Sequence, residues 1–293
     1  MTLTELATRT IQAPGATLTY DLRPGSSTSE PPLFLIGSPM GASGFTTLAS
    51  HFADRTIITY DPRGAERSTK DDPATASNPA QHADDLHRII EEVGGPVDMF
   101  ASSGGAVNAL ALVATHPEDV RTLVAHEPPI AAILPDAENA KAAVRAISDS
   151  YQRGGFGAGM AHFMAITGHR GPFPDDIASQ PAPDPSAFGM PAEDDGVRTD
   201  VMLAQNIVGT THYEPDFDVL RNVSTQIILA AGAESQGEMA NRGAYAVAER
   251  LGTEPVVFPS HHGGFLGGEY GWGGEPDAFA AKLREVLKGA AQS

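Results

Sequence analysis

The sequence predicts an α/β fold: a mostly parallel sheet flanked by helices, with a helical segment inserted late in the chain. Three observations carry that expectation. Short apolar runs alternate with stretches of helical spacing through residues 33–125, the pattern of strands joined by crossover helices. The alternation stops after Glu127-Pro128-Pro129 and resumes at Gln226. The length, 293 residues with no cysteine, suits a large core that needs no disulfide or thiolate-metal staple.

Taken in order, residues 8–11 and 17–22, split by Pro14-Gly15, read as an opening hairpin. Leu33-Phe34-Leu35-Ile36 is a buried strand ending at Gly37, and residues 56–60 form another, ending at Asp61. Between them Phe45, Leu48 and Phe52 recur at helical spacing. Asn78-Pro79 supplies an N-cap and a first-turn proline for a helix whose Leu86, Ile89, Ile90 and Val93 make one apolar stripe, stopped by Gly94-Gly95. Residues 97–100 and 123–125 are two further strands, with a helix of small residues over 105–115 between them. From 130 to about 221 the pattern is helical without a convincing strand. Val144, Ile147 and Tyr151 mark one helix, Met160, Phe163 and Met164 a second, and Val201, Met202 and Ile207 a third. Residues 171–196, rich in Pro, Asp and Ala, read as loop. Strands return at 226–231 and 256–258, and a last helix opened by Pro276 presents Phe279, Leu283 and Val286 to the core. The expected division is a core of residues 1–128 and 222–293 with a helical cap at 129–221. Gly154, Gly155, Gly157 and Gly159 follow no strand, so they do not make a dinucleotide loop.

Composition narrows the partners. Acidic side chains number 37 against 19 basic, a formal charge of −18, and Lys70, Lys141, Lys282 and Lys288 lie in no basic run. Phosphate binding depends on clustered Lys and Arg, so nucleic acid is not an expected partner. Residues 1–15 lack the basic start and apolar run of a signal peptide, and nothing approaches the ~18 consecutive apolar residues of a membrane span. The expectation is a cytoplasmic protein with no membrane partner, acting on a small molecule.

The sharpest chemical signal is Phe100-Ala101-Ser102-Ser103-Gly104-Gly105, where a strand ends and a helix begins. A serine on such a strained turn needs small side chains two residues to either side. Around Ser103 those positions are Ala101 and Gly105; around Ser102 one of them would be Phe100, which would clash. Ser103 is therefore the candidate nucleophile, at a helix start where developing negative charge is favoured.

With that turn in place, the chain resembles the α/β-hydrolase fold family, in its serine esterase and lactonase-like branch, over nearly its whole length apart from the insertion. Leu35-Ile36-Gly37-Ser38-Pro39 resembles the family's strand and His-Gly-X-Pro turn, with Ile36 where histidine is common. The Tyr60-Asp61-Pro62-Arg63-Gly64 run resembles its structural turn after the next strand. Pro259-Ser260-His261-His262-Gly263-Gly264-Phe265 resembles its late histidine segment. The resemblance implies His262 as the base, within reach of the serine hydroxyl. It implies backbone oxyanion donors at Gly104 and Ser38. A His261–His262 metal pair is disfavoured, because adjacent loop residues rarely ligate together and no carboxylate or cysteine flanks them at useful spacing. His126 reads as a packed or orienting side chain. For the acid two candidates stand. Glu127 ends the strand after the nucleophile helix, where some haloalkane dehalogenases of this fold place their acid. Glu234 lies one residue short of the family's customary place, which holds Ser235. Glu127 is preferred.

The implied activity is hydrolysis of a small carboxylic ester or lactone through an acyl-enzyme, with no cofactor or metal required. Thioester, amide, carbon–carbon and perhydrolysis chemistries share the same apparatus. A catalytically silent small-ligand binder of this fold is the alternative from another class. Met40, Met160, Phe163, Met164 and Met202 are candidate substrate-binding residues, alongside Phe156 and Ile207 in the cap.

Overall fold

The computed structural model describes residues 6–27 and 29–290. Residues 1–5, part of the segment read for a leader, lie outside the described residues. Nine strands form one sheet among the described residues. They are β1 (Ala7–Ala13), β2 (Ala16–Arg23), β3 (Leu33–Ile36), β4 (Ile57–Asp61), β5 (Thr69–Lys70), β6 (Val97–Ser102), β7 (Val120–His126), β8 (Gln226–Gly232) and β9 (Val256–Phe258). Their order is β1-β2-β4-β3-β6-β7-β8-β9, with β5 on β2. The pairs from β4 through β9 are parallel, whereas β1, β2 and β5 pair antiparallel. The helices are α1 (Thr46–Ser50), α2 (Pro79–Val93), α3 (Gly104–Thr115), α4 (Ala137–Thr167), α5 (Ile207–Thr211), α6 (Phe217–Leu220), α7 (Met239–Leu251) and α8 (Pro276–Ala290).

The period of two along β3 sorts its side chains to the two faces of the sheet. Phe34 and Ile36 join a cluster with Leu86, Ile89, Val107 and Leu110 of α2 and α3. Leu33 and Leu35 join Phe45, Phe52, Phe100, Phe279 and Leu283 on the opposite face, under α1 and α8. Helix α3 packs against β6 and β7 on one side and against α2, α5 and α6 on others, and this is why Ala106, Val107, Ala109, Leu110 and Leu112 are buried all round it. The Asn78 side chain accepts from the Gln81 amide at 2.9 Å, Gln81 Oε1 accepts from the Asn78 amide at 3.1 Å, and Gly94 ends α2 at φ 83°.

Between β7 and β8 the chain contributes α4, α5 and α6. The two helices expected at 144–151 and 160–164 run together as α4 and meet at a kink, where Gly155 takes φ 75° and ψ −164°. Only glycine is at ease there. A Cβ on neighbouring Gly157 would fall 1.9 Å from the Pro191 carbonyl, so these glycines seat the loop beyond α4 rather than a nucleotide. The expected helix at 201–207 is a wide π-turn over Val201–Asn206 that passes into α5. None of the helices of the described residues is long and apolar enough to cross a membrane.

The strand order reverses at β3: the next strand lies to one side of it and β6 to the other. Ligands in open parallel sheets bind outside the carboxyl ends at such a switch point. Ser38 follows β3 there and Ser103 follows β6.

Candidate active site

Ser103 links β6 to α3 at φ 57° and ψ −128°, a conformation that costs a residue with a Cβ about 1–3 kcal/mol. The turn is held from both sides. The Ser103 amide donates to the His126 carbonyl at 2.9 Å, and the Ser103 carbonyl accepts from the Ala106 amide at 2.9 Å. The close approach explains the small residues. A Cβ on Gly105 would lie 2.8 Å from the Gly37 Cα, and one on Gly104 2.6 Å from the Ser38 carbonyl oxygen. The turn after β3 therefore lies directly against the first residues of α3, which brings the backbones of Ser38 and Gly104 side by side. The Ser38 hydroxyl is buried with no partner among the described residues. Above them, Thr210 of α5 brings its methyl within 3.4 Å of that same Gly104 position.

Next to β6 in the sheet, β7 ends at His126, and Glu127 follows at φ 48° with its amide donating to the Ala230 carbonyl at 3.0 Å. The Glu127 side chain is completely buried. Its Oε2 accepts from His262 Nδ1 at 2.6 Å. Its Oε1 accepts from the Gly232 amide at 2.8 Å, from Asn241 Nδ2 at 3.0 Å and from the Ser235 hydroxyl. Burial alone would raise the pKa of this carboxyl; the His262 hydrogen bond, the neighbouring imidazoles and Ser235 outweigh it and hold the group well below the usual carboxylate range. For half-buried His262, burial opposes the charged ring, but the bond and charge of Glu127, with Glu238 nearby, raise its pKa. A carboxylate so held accepts and does not donate, so His262 presents Nδ1–H to Glu127 and leaves Nε2 free to accept.

The preference between the two glutamates thus has a geometric counterpart. Glu234 is exposed, and its carboxylate meets the Ser260 hydroxyl at 3.5 Å rather than the imidazole. His261 turns aside, with Nε2 on the Gly273 carbonyl at 3.1 Å. His126 is buried beneath His262, the ring centroids 5.8 Å apart, with Nδ1 3.2 Å from the Ser102 hydroxyl. Burial lowers its pKa to about 4. Ser102 itself is buried.

Of the expected substrate contacts, Met160, Phe163 and Met202 are half-buried against the main apolar cluster and Ile207 is part of it. Met164 is also half-buried, and Phe156 is exposed. Met40 packs between Gly37 and Gly44, where Cβ atoms would meet its Cε at 3.0 Å and its Sδ at 2.4 Å. The sequence reading missed Asn241, Thr210 and the anchoring part of Ser235. Only Ser235 carried a signal, since it occupies the family's customary acidic position.

Known proteins share the fold. Residues 31–154 match a family model described as the alpha/beta hydrolase fold. Over 264 residues the chain is 30% identical to "Uncharacterized hydrolase YraK" of Bacillus subtilis (strain 168), covering 87% of this chain and 89% of that one. A thermophilic esterase from Thermogutta terrifontis superposes with a TM-score of 0.66 at 17% identity, over 98% of this chain and 99% of that one. An esterase from Exiguobacterium antarcticum does so with a TM-score of 0.65 at 20% identity, over 95% and 98%. The parallel sheet, the turn at Ser103 and a relative matched over most of both chains lead to one conclusion: the chain belongs to the α/β-hydrolase family, a hydrolase fold with esterases among its structural neighbours.

Proposed function

We propose that this chain is a serine hydrolase that cleaves a small carboxylic ester or lactone through an acyl-enzyme. The observation that carries the reading is the pairing of His262 with a buried, multiply held Glu127 at the sheet edge where Ser103 sits on its strained turn. Ser103 Oγ attacks the ester carbonyl while His262 Nε2 takes its proton, and Glu127 stabilises the imidazolium that forms. The amides of Gly104 and Ser38 receive the oxyanion of the tetrahedral intermediate. His262 then returns the proton to the departing alcohol oxygen, which leaves the acyl group on Ser103. Water, deprotonated by the same ring, releases the acid and restores the serine. The esterases of Thermogutta terrifontis and Exiguobacterium antarcticum, similar in fold, support an ester as the substrate class. The test is labelling by a fluorophosphonate probe, read by peptide mass mapping. The expected adduct is on Ser103, is lost in Ser103→Ala and is retained in Ser102→Ala. An unlabelled parent protein would favour the silent small-ligand binder, and an adduct on Ser102 would overturn the register.

A further inference from the structure

We propose that His87, His116 and Asp119 form a binding site for a divalent transition-metal ion of the zinc class. One donor atom from each lies within 4.8 Å of the others. His87 comes from the middle of α2, His116 is the C-cap of α3, and Asp119 closes the turn that leads into β7. The two imidazoles stack face to face, centroids 3.7 Å apart and planes 13° apart, and His87 Nδ1 lies 2.7 Å from Asp119 Oδ2. Both rings are half-buried and Asp119 is buried, so the cluster is partly withdrawn from water.

Zinc bonds of about 2.0–2.2 Å in a tetrahedron set donor atoms roughly 3.4 Å apart, so small side-chain rotations close this cluster around an ion. A carboxylate stands beside each ring: Glu91 Oε2 is 3.5 Å from His87 Nε2 and Glu118 Oε1 is 3.6 Å from His116 Nδ1. Both carboxylates are largely exposed and add negative charge beside a bound cation. The site also adjoins the C-terminal end of α3, where the helix dipole favours a cation. Imidazole with one carboxylate suits zinc, cobalt or nickel, while calcium and magnesium prefer all-oxygen shells. Three protein donors leave a fourth position to water.

Helix α3 has 12 residues and begins next to Ser103, so its far end is about 18 Å away and the ion takes no part in the ester chemistry. Its effect is to tie α2 to the link between α3 and β7.

The test uses tag-free protein stripped by a chelator and titrated with cobalt, followed by displacement with zinc. Expected are saturable one-to-one binding, the visible absorption of four-coordinate cobalt, and a melting temperature raised by zinc. His87→Asn and His116→Asn should each weaken binding at least tenfold and leave Ser103 labelling unchanged. In the parent protein, zinc should protect His87 and His116, but not His169, equally half-buried and outside the cluster, from carbethoxylation, a readout that holds if a variant does not fold. Absence of one-to-one binding, binding undiminished in the folded variants, or no protection of His87 and His116 would overturn the site.

Discussion

Replacing Glu127 by glutamine tests the proposed acid with almost no change of shape. The two carboxylate oxygens carry unequal loads. Among the described residues Oε1 accepts from the Gly232 amide, Asn241 and Ser235, whereas Oε2 accepts from His262 alone. A glutamine keeps its carbonyl where three donors converge, because the opposite rotamer would set an NH2 group against all three. Its NH2 then faces His262 Nδ1, which must become an acceptor, and the ring proton moves to Nε2. That tautomer cannot take the Ser103 proton. A tautomer reversal of this kind in a serine protease triad costs about 10⁴-fold in kcat, which corresponds to about 5.5 kcal/mol of barrier. Hydrolysis of p-nitrophenyl acetate, followed alongside thermal unfolding, is the assay. The expected result is a kcat lowered by about 10⁴ with a cooperative melt, while Glu234→Gln stays within a few-fold of the parent. A Glu127→Gln enzyme within tenfold of the parent, or a larger loss in Glu234→Gln, would refute the reasoning.

Further outcomes follow from the buried titrating groups and the cap. The His262 ring must be neutral to act as base, and Glu127 raises its pKa, so the acid limb of kcat/KM should have its midpoint above 6.5; a limb at or below that value would contradict the pairing. His82 and His126 are driven down to about 4 by burial, so the fold refuses protons that the unfolded chain accepts below about 6.5. Stability should therefore fall between pH 6.5 and 4 by about 3 kcal/mol for each. The Glu127 contribution, present above its unfolded value near 4.5, is lost in the same direction as pH falls through its depressed folded value. Urea titrations across that range check the slope, and His126→Phe should flatten it. In the cap, Met160→Ala and Phe163→Ala should shift the preferred acyl size by about tenfold or more in relative kcat/KM. A changed melting temperature with an unchanged substrate profile would make the cap structural cover.

The central strands β3, β4 and β6 were legible because each is a short apolar run beside Gly, Pro or Asp, and burial on both faces removes any need for polar alternation, whereas the two-residue β5, Thr69-Lys70, offered no such pattern and was missed. The turn at Ser103 was legible because steric crowding permits so few residues there. Resemblance singled out His262, but its partners became visible only in the folded chain. Asn241 reaches Glu127 from a helix begun well over a hundred residues later in the chain, a contact that no local pattern announces. The kink at Gly155 was hidden because glycine spacing reads alike in a loop and in a broken helix. The wide turn at Val201–Asn206 escaped because its apolar residues still fall near helical spacing.

The position of Glu127, the proposed acid, directly after β7 also bears on how the protein can vary. Ser103 and Glu127 end adjacent strands, and one hydrogen bond from the Ser103 amide to the His126 carbonyl links their turns directly. On the proposed reading, the loop after β8 is thereby relieved of supplying a charge at a fixed angle. It needs only an amide at Gly232 and a small hydroxyl at Ser235 to steady a carboxylate anchored elsewhere. That is a looser demand than a carboxylate held at one angle. Evolution can lengthen, shorten or recharge this loop, including the exposed Glu234, and so reshape the edge of the binding crevice with the proton-transfer chain left untouched.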